Sequence, residues 1–466
     1  MQQFQRPQGN SGALLRPVDA VRSADNADAK RRVLVIAFSY PPSPRVGALR
    51  PGGLAKYLPQ FGWSPIVLTS SLDGVSRDQP DVVGTKYRNL LAEWKARFRL
   101  DATRGIHQQL GLALASEPKG KLLHTRVLRA LKTAVTYPDE TKGWISFAVN
   151  AIAEIAAKHR IDAIISTAPP FTTHMVGAQA KRILNCAWVA DYRDLWNTNT
   201  LTMGEATGLM AWARRITERN VLRQVDALVT VSEPWAERLQ ARYPQQKVAC
   251  IENGFDEEDF PFTRYDLTPQ FTITHTGQLY QGRRDPTVLM ETLRELLDEE
   301  AIPESDLRLR FYGPVEPFLP ALVSRFGLEK VVEIHGSVPR SDALRLQRES
   351  QLLLLLTWWN PAESGILTGK VYEYLGSRRP ILAVGGGRGR ITALLEHTKA
   401  GVQACSKEDL KKVLIDAYSR YRLHGYIAFT GDEAVIQTRT HREMARKYAQ
   451  LLESLASSSW NRARVA

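Results

Sequence analysis

Two tandem doubly wound α/β domains, Rossmann-like and facing each other across a cleft, are the fold this sequence predicts, and three observations carry the prediction. Short apolar runs of strand length alternate with helical stretches from Val33 to Ile251. The alternation restarts at Phe271 after a turn-rich stretch over 261–269. The chain's 466 residues, 44% of them hydrophobic, exceed what one ordinary core holds.

The elements follow in order. Residues 1–30 are rich in Gln, Asn, Asp, Ser and Ala and hold no apolar run of signal-peptide length, so they read as a disordered leader. The first domain, 31–258, opens with the buried-strand run 33–38, which ends in Tyr40-Pro41-Pro42 and leads to Gly47. A helix with apolar Leu49, Leu54, Tyr57 and Leu58 follows, then Gly62 and a second strand at 66–69, a βαβ opening. A basic insertion spans about 72–142. Beyond it come a helix near 143–159, a strand at 163–166, a further helix, a strand at 188–191, a long helix near 205–223 and a strand at 227–231. The second domain, 259–436, has strand runs at 271–276, 309–312, 332–335, 352–357, 381–384 and 401–402. A last helix, within 437–457, carries Met444, Tyr448, Leu451, Leu452 and Leu455 at helical spacing, and the residues beyond it read as a frayed tail.

Composition narrows the function. Cys186, Cys250 and Cys405 are scattered with no C-x-x-C, which argues for a reducing compartment and against structural zinc. No stretch reaches the roughly 20 apolar residues that span a bilayer. The net charge is +13, and eleven Lys or Arg against Glu93, Asp101 and Glu117 fall between Lys86 and Lys132. There Tyr87, Leu90, Leu91, Trp94 and Phe98, and again Leu123, Val127, Leu131 and Val135, recur at helical spacing among cations. That pattern suits an anionic membrane surface, or else an amphipathic cap with a solvated basic rim. Nucleic-acid binding would also use the charge, but the segment matches no recognition module.

The sharpest chemical signal is the run 365–375. A strand enters it, small residues form the loop, Lys370 follows, and a helix leaves carrying Glu373. A helix N-terminus offers free N–H groups and a positive dipole end, so this is a diphosphate seat and points to a nucleotide-linked substrate. Its ordinary alternative is a solvated lysine and a surface carboxylate. In doubly wound sheets ligands bind at the carboxyl ends of the strands, which places the substrate between the two domains.

Five segments, in order over about 31–385, make the chain resemble a retaining glycosyltransferase of family 4, of the bacterial surface-polysaccharide kind, with the two-domain GT-B fold. They are Tyr40-Pro41-Pro42 through Leu58, Ser166-Thr167-Ala168-Pro169-Pro170, Asp191-Tyr192-Arg193-Asp194-Leu195-Trp196, Val231-Ser232-Glu233-Pro234 with Ile251 to Asp256, and Gly369 to Leu375. The resemblance implies that Lys370 and the backbone from Thr368 hold the diphosphate and Glu373 the ribose. It puts Gly277 and a basic residue, Arg283 or Arg284, against the same diphosphate; the sequence leaves the choice open, and a solvated loop pair is the alternative. Many relatives carry two glutamates eight positions apart, but eight before Glu373 stands Gly365, so either Glu363 or backbone N–H groups at Gly365 take the first one's place. Asp191 and Arg193 lie where many relatives have a histidine near the donor sugar, and both are candidates for catalysis; a structural pairing of Asp191 or Asp194 with Arg193 is the alternative. Gly47 would let backbone approach a substrate, and Arg45 and Arg50 would meet an anionic acceptor. His174 and His275 read as structural.

No D-x-D occurs, so leaving-group stabilisation is expected without metal, and no cofactor is called for. The activity implied is hexosyl transfer with retention from a nucleoside-diphosphate sugar to a lipid-linked or polysaccharide acceptor, in the cytoplasm or on the inner face of its membrane, with the terminal helix crossing back to the first domain. A sugar-nucleotide epimerase shares the architecture, and a non-catalytic basic binding protein stays open as well.

Overall fold

The computed structural model describes residues 30–70, 81–90, 92–93, 137–196, 208–261, 266–358 and 367–465, with side chains for all of them except 208–211 and 458–465. The leader, most of the basic segment 86–135, and both Glu363 and Gly365 lie outside the described residues.

The first sheet has seven strands: β1 (Arg31–Ile36), β2 (Trp63–Ser70), β3 (Val82–Thr85), β4 (Ala163–Ala168), β5 (Ala187–Tyr192), β6 (Ala227–Thr230) and β7 (Lys247–Cys250). All pair in parallel, in the order β3-β2-β1-β4-β5-β6-β7. Its helices are α1 (Leu49–Tyr57), α2 (Ile145–Lys158), α3 (Thr172–Leu184), α4 (Gly208–Val221) and α5 (Glu233–Arg242). The second sheet has six parallel strands: β8 (Phe271–Thr276), β9 (Leu307–Tyr312), β10 (Val332–Gly336), β11 (Leu352–Leu356), β12 (Ile381–Val384) and β13 (Gly401–Ala404), ordered β10-β9-β8-β11-β12-β13. Between and after them run α6 (Thr287–Asp298), α7 (Phe318–Arg325), α8 (Arg340–Glu349), α9 (Gly369–Ser377), α10 (Arg390–Thr398), α11 (Lys407–His424), α12 (Glu433–Gln437) and α13 (His441–Val465). These are two Rossmann-like units, as the alternation of strands and helices predicts.

Burial explains the strand sequences. Every residue of β4, β5, β6, β8, β11 and β12 is buried, because helices cover both faces; β11 and β12 read as unbroken apolar runs, while β8 alternates apolar residues with buried Thr and His. The edge strands β3, β7 and β10 are only partly covered and read less clearly. β3 therefore differs from expectation: it lies inside the stretch read as an insertion, yet Val82 and Val83 pair with Val67 and Leu68 and extend the sheet.

In each sheet the strand order reverses beside its first strand, between β1 and β4 and between β8 and β11. The segments leaving these four strands carry Gly47, Gly277, Arg283, Arg284, Thr368 and Lys370, while Arg193 and Asp194 follow the neighbouring β5; a reversal sends neighbouring connections to opposite faces and opens a crevice. α13 packs on the first domain: Met444, Ala445, Tyr448 and Leu452 are buried against Val33, Leu54, Val67 and Val189. It also runs further than the sequence suggests, through Val465, with Ser457 Oγ bonding back to Glu453 O instead of fraying the helix at Ala456.

The link between the domains is tied rather than solvated. Asp256 accepts from Tyr57 OH at 2.6 Å and pairs with Lys56 at 2.7 Å, and Asp259 pairs with Arg340 at 2.8 Å. Glu252 joins Arg390 at 2.6 Å and also Arg439.

Candidate active site in the interdomain cleft

A cleft of about 1110 Å3 opens between the two sets of strand ends. From the first domain Arg45 to Gly47, Pro169 to Phe171, Arg193 and Asp194 line it; from the second come Gly277, Arg284 and Leu367 to Lys370. That volume is at the upper end for a small-molecule site and has room for a second substrate.

The second-domain wall is built around the start of α9. Thr368 is its N-cap in extended conformation, and the first two helical residues are Gly369 and Lys370. The Val371 N–H is taken by Thr368 O at 3.2 Å, so the free amides of the first turn are those of Gly369 and Lys370. Thr368 Oγ1 is buried without a hydrogen-bond partner. The Lys370 ammonium makes no ion pair among the described residues, and burial lowers it to about 8, with Arg284 adding to that and Glu373 opposing. Gly277 explains how the ammonium sits there: a Cβ on this residue would collide with Lys370 Nζ and Cε, and its φ of 115° is one that L side chains rarely adopt. The loop after β8 and the start of α9 thus fit together only with glycine at 277.

The structure separates the two arginines of that loop. Arg284 lines the cleft, and burial lowers its guanidinium, with Tyr280 and Asp194 opposing. Arg283 lies over the Trp358 ring, 4.4 Å from its centroid, and is not part of the cleft wall. Lys370 and Arg284 are therefore two partly dehydrated cations that make no ion pair among the described residues, with Glu373 and Asp194 acting on them only from a distance. Such a pair costs free energy until an anion fills it.

Glu373 is placed differently from expectation. It is off the cleft wall, its oxygens accepting from Arg340 Nη1 and Gln347 Nε2, each at 2.8 Å. The reason is local: α8 packs on α9 and brings two long donors to the same turn. Each carboxylate oxygen keeps a second lone pair.

The first-domain wall corrects the catalytic reading of Asp191. This residue is fully buried and receives Arg50 Nε at 2.9 Å, Arg50 Nη2 at 3.0 Å and Thr167 Oγ1 at 2.7 Å. Burial pushes its carboxyl up, but Arg50 and these hydrogen bonds together hold it below the usual carboxylate range. Arg50 in turn donates to Ile251 O at 2.8 Å, Glu252 O at 3.0 Å and Tyr448 OH at 2.9 Å. The pair is a buried tie between the first sheet, the interdomain link and α13. The same geometry removes Arg50 from the acceptor role expected of it.

Arg193 is a clamp. Its guanidinium donates to Gly47 O at 2.9 Å and to Pro169 O, joining the loops after β1 and β4. A Cβ on Gly47 would stand 2.8 Å from Arg193 Nη1, so this glycine makes room for the clamp as well as lining the cleft. His174 and His275 are buried, bonded to Ser166 Oγ at 2.8 Å and Leu354 O at 3.0 Å, and burial holds both neutral at about 3. Among the described residues no three His, Cys, Asp or Glu side chains gather as metal ligands, and no helix is long and apolar enough to cross a membrane.

Two cleft residues escaped the sequence reading. Ser232, between β6 and α5, has a buried hydroxyl with no partner. Asp194 was weighed only as a loop-pinning group, yet it faces the cleft.

Comparison with known proteins agrees with this architecture. Residues 47–254 match the model of the Glycosyl transferase 4-like domain. The first domain is similar to a glycosyl transferase 4-like domain over these residues. HepE of Anabaena, in a structure with UDP and glucose, is 15% identical over 91% of this chain and 100% of its own, with a TM-score of 0.56. A glycosyltransferase from Rickettsia africae is 15% identical over 91% and 98%, TM-score 0.57, and sucrose-phosphate synthase from Thermosynechococcus elongatus is 18% identical over 93% and 98%, TM-score 0.51. These likenesses carry the fold, which is GT-B. No curated protein sequence matches the chain. Domain and fold together make the protein a transferase of glycosyl groups.

Proposed function

We propose that the protein moves a hexosyl group from a nucleoside-diphosphate sugar to a lipid-linked or polysaccharide acceptor, with retention and without metal, in the synthesis of a cell-surface polysaccharide. The observation that carries the donor is the unpaired, dehydrated set of Lys370, Arg284, Thr368 Oγ1 and the Gly369 and Lys370 amides on one wall of the cleft. A diphosphate satisfies all of them at once, and the same groups then stabilise the charge of the departing nucleoside diphosphate. Glu373 holds the ribose through the lone pairs that Arg340 and Gln347 leave. The sugar transferred leaves that phosphate toward the first-domain wall, where the acceptor enters between Arg45 and Phe171. The structure of HepE in complex with UDP and glucose supports a uridine nucleotide as the first donor to try. Retention and the acceptor class rest on the motif resemblance.

An anionic membrane surface is part of the proposal. Beyond the basic segment, α4 supports it with a described face: Trp212 is 60% exposed, with Ile216, Arg215 and Arg219 exposed beside it. Aromatic and apolar groups among cations on one exposed helix face suit an anionic leaflet. Pelleting with vesicles that contain anionic lipid, and not with neutral ones, is the expected result.

The donor site is tested by a thermal-shift screen against nucleoside diphosphates and their sugars, with Lys370→Ala alongside. A ligand at about 100 times its dissociation constant adds roughly 2.7 kcal/mol of stability. A shift with one nucleotide that Lys370→Ala abolishes establishes the site and names the base. No shift with any of them, from folded protein, overturns the reading.

A further inference from the structure

Asp194 is a carboxylate held in the cleft without a partner among the described residues. Among the described residues it accepts no hydrogen bond and makes no ion pair; the charges acting on it are Arg193 on its own loop and Arg284 from the opposite domain. Asp139, which also lines the cleft, is by contrast used by Thr141 and Thr172.

Its placement is rigid. On one side Arg193 N donates to Ala168 O at 2.9 Å while its guanidinium clamps two loops. On the other side Leu195 and Trp196 are buried, and Trp196 stacks on Phe171 with centroids 5.0 Å apart. A partly dehydrated carboxylate kept in fixed geometry without a donor is a cost that a ligand can remove. The ligand's chemistry follows from the surroundings. The diphosphate seat is on the second-domain wall, and Arg284 reaches from that seat toward Asp194. A group attached to the diphosphate and pointing at the first domain therefore arrives at Asp194, and in a nucleotide sugar that group is the sugar, rich in hydroxyl donors.

We propose that Asp194 accepts a hydrogen bond from a hydroxyl of the transferred sugar, and so sets which nucleotide sugar the enzyme takes. The assignment rests on the donor-site reading above and adds a specificity-determining residue to it. Burial raises the Asp194 carboxyl to about 6, against the pull of Arg193 and Arg284. Above that pH the group is ionised and a full acceptor; below it, protonation weakens its hold on a hydroxyl. Lys370, at about 8, stays charged across this range and His441, lowered by burial to about 4, stays neutral; Asp139, Glu140 and Arg214 also line the cleft and are common to wild type and Asp194→Asn, so the part of the change that the variant loses belongs to Asp194.

The experiment measures dissociation constants of the full-length protein for UDP against UDP-glucose and for GDP against GDP-mannose, at pH 7.5 and pH 5. Wild type, Asp194→Asn and Asp194→Ala are compared, and the ratio of nucleoside-diphosphate to nucleotide-sugar affinity is read for the pair that binds. The expected result is unchanged affinity for the nucleoside diphosphate in both variants and a ratio shifted against the sugar by about tenfold, the worth of one hydrogen bond to a charged group. On going to pH 5 the wild-type ratio shifts against the sugar relative to that of Asp194→Asn, whose change reports only protonation of the free diphosphate's terminal phosphate. With wild-type protein, a set of deoxy-sugar nucleotides identifies the hydroxyl as the one whose removal costs wild type and not the variants. Retained nucleoside-diphosphate binding with an unchanged ratio overturns the proposal, and so does an effect confined to the acceptor's KM. Failure of wild type to bind any nucleoside diphosphate instead overturns the donor-site reading itself, so the two failures are distinguishable.

Discussion

Buried charge occurs on both walls of the cleft, and it is settled in opposite ways. On the first-domain wall, Arg50 and Asp191 satisfy each other in two-point fashion, and the remaining donors of Arg50 end on Ile251 O, Glu252 O, Asn253 Oδ1 and Tyr448 OH. On the second-domain wall, Lys370 and Arg284 are partly dehydrated and make no ion pair among the described residues. Burying a charge is costly in both places; only the first wall offsets that cost within the fold. The paired set is a tie that fixes α13 and the link to the first sheet. The unpaired set is the one that the proposed donor would complete. Burial or proximity to the cleft alone would have ranked Asp191 and Lys370 together, and it is the tally of partners that separates structure from function here.

The largest effect expected from this contrast is on stability. Asp191→Ala leaves the Arg50 guanidinium buried without its counter-charge and should cost about 3–5 kcal/mol, read from the urea midpoint. Asp191→Asn, which keeps the shape, should also lower the midpoint. If Asp191→Asn kept full stability and lost transfer activity, the contrast would break and Asp191 would return as a catalytic candidate. The next effect is on binding. Lys370→Met keeps the packing against Gly277 and removes the charge, so nucleoside-diphosphate affinity should fall by about ten- to a hundredfold, the range for a lost hydrogen bond to a charged group. Its urea midpoint at pH 7 should stay level or rise, because an unpaired buried cation has been removed.

Both sheets were legible in the sequence because their central strands are largely covered on both faces and so are short and rich in apolar residues, most plainly in Leu352 to Leu356. β3 was missed because an edge strand needs only a few apolar residues, here Val82 and Val83. At the candidate site, the placement of Lys370, Thr368 and Gly277 at strand ends facing the cleft was legible, since strand, loop and helix start follow one another along the chain itself. Arg50 and Asp191 were not, because they are 141 positions apart and nothing local in either segment announces the other. The choice of Arg284 over Arg283 was equally hidden: it depends on Trp358, which captures the Arg283 guanidinium from a different strand end. Asp194 sat in plain view in Asp191-Tyr192-Arg193-Asp194, but only the two strand ends together show which carboxylate of that run is satisfied.

Gly277→Ala sharpens the contrast from the other side, since it leaves every charge in place and displaces one. The new Cβ would meet Lys370 Nζ, and the φ of 115° would be strained as well. Donor affinity should drop in the same direction as in Lys370→Met. Stability should fall too, by about 1 kcal/mol or more, which separates the two variants in one urea titration.

The smallest effect is a pH dependence, and its sign is set by the unpaired wall. Lys370 stands at about 8 in the folded protein against 10.5 for an ordinary lysine. Between those values the unfolded chain binds more protons than the folded one, so this group's contribution to ligand-free stability rises as pH increases from about 8 to 10.5. A bound diphosphate raises the lysine's affinity for its proton, so binding takes a proton up, and donor affinity should decline above pH 8, by roughly tenfold per pH unit at most. The Asp194 proton is already gone in this window and does not contribute. Titration calorimetry with the nucleotide sugar from pH 7 to 9.5 should show that decline in wild type and a flat line in Lys370→Met. A wild-type affinity that does not change with pH would mean that the ammonium never meets the phosphate, and the two walls would then differ only in packing.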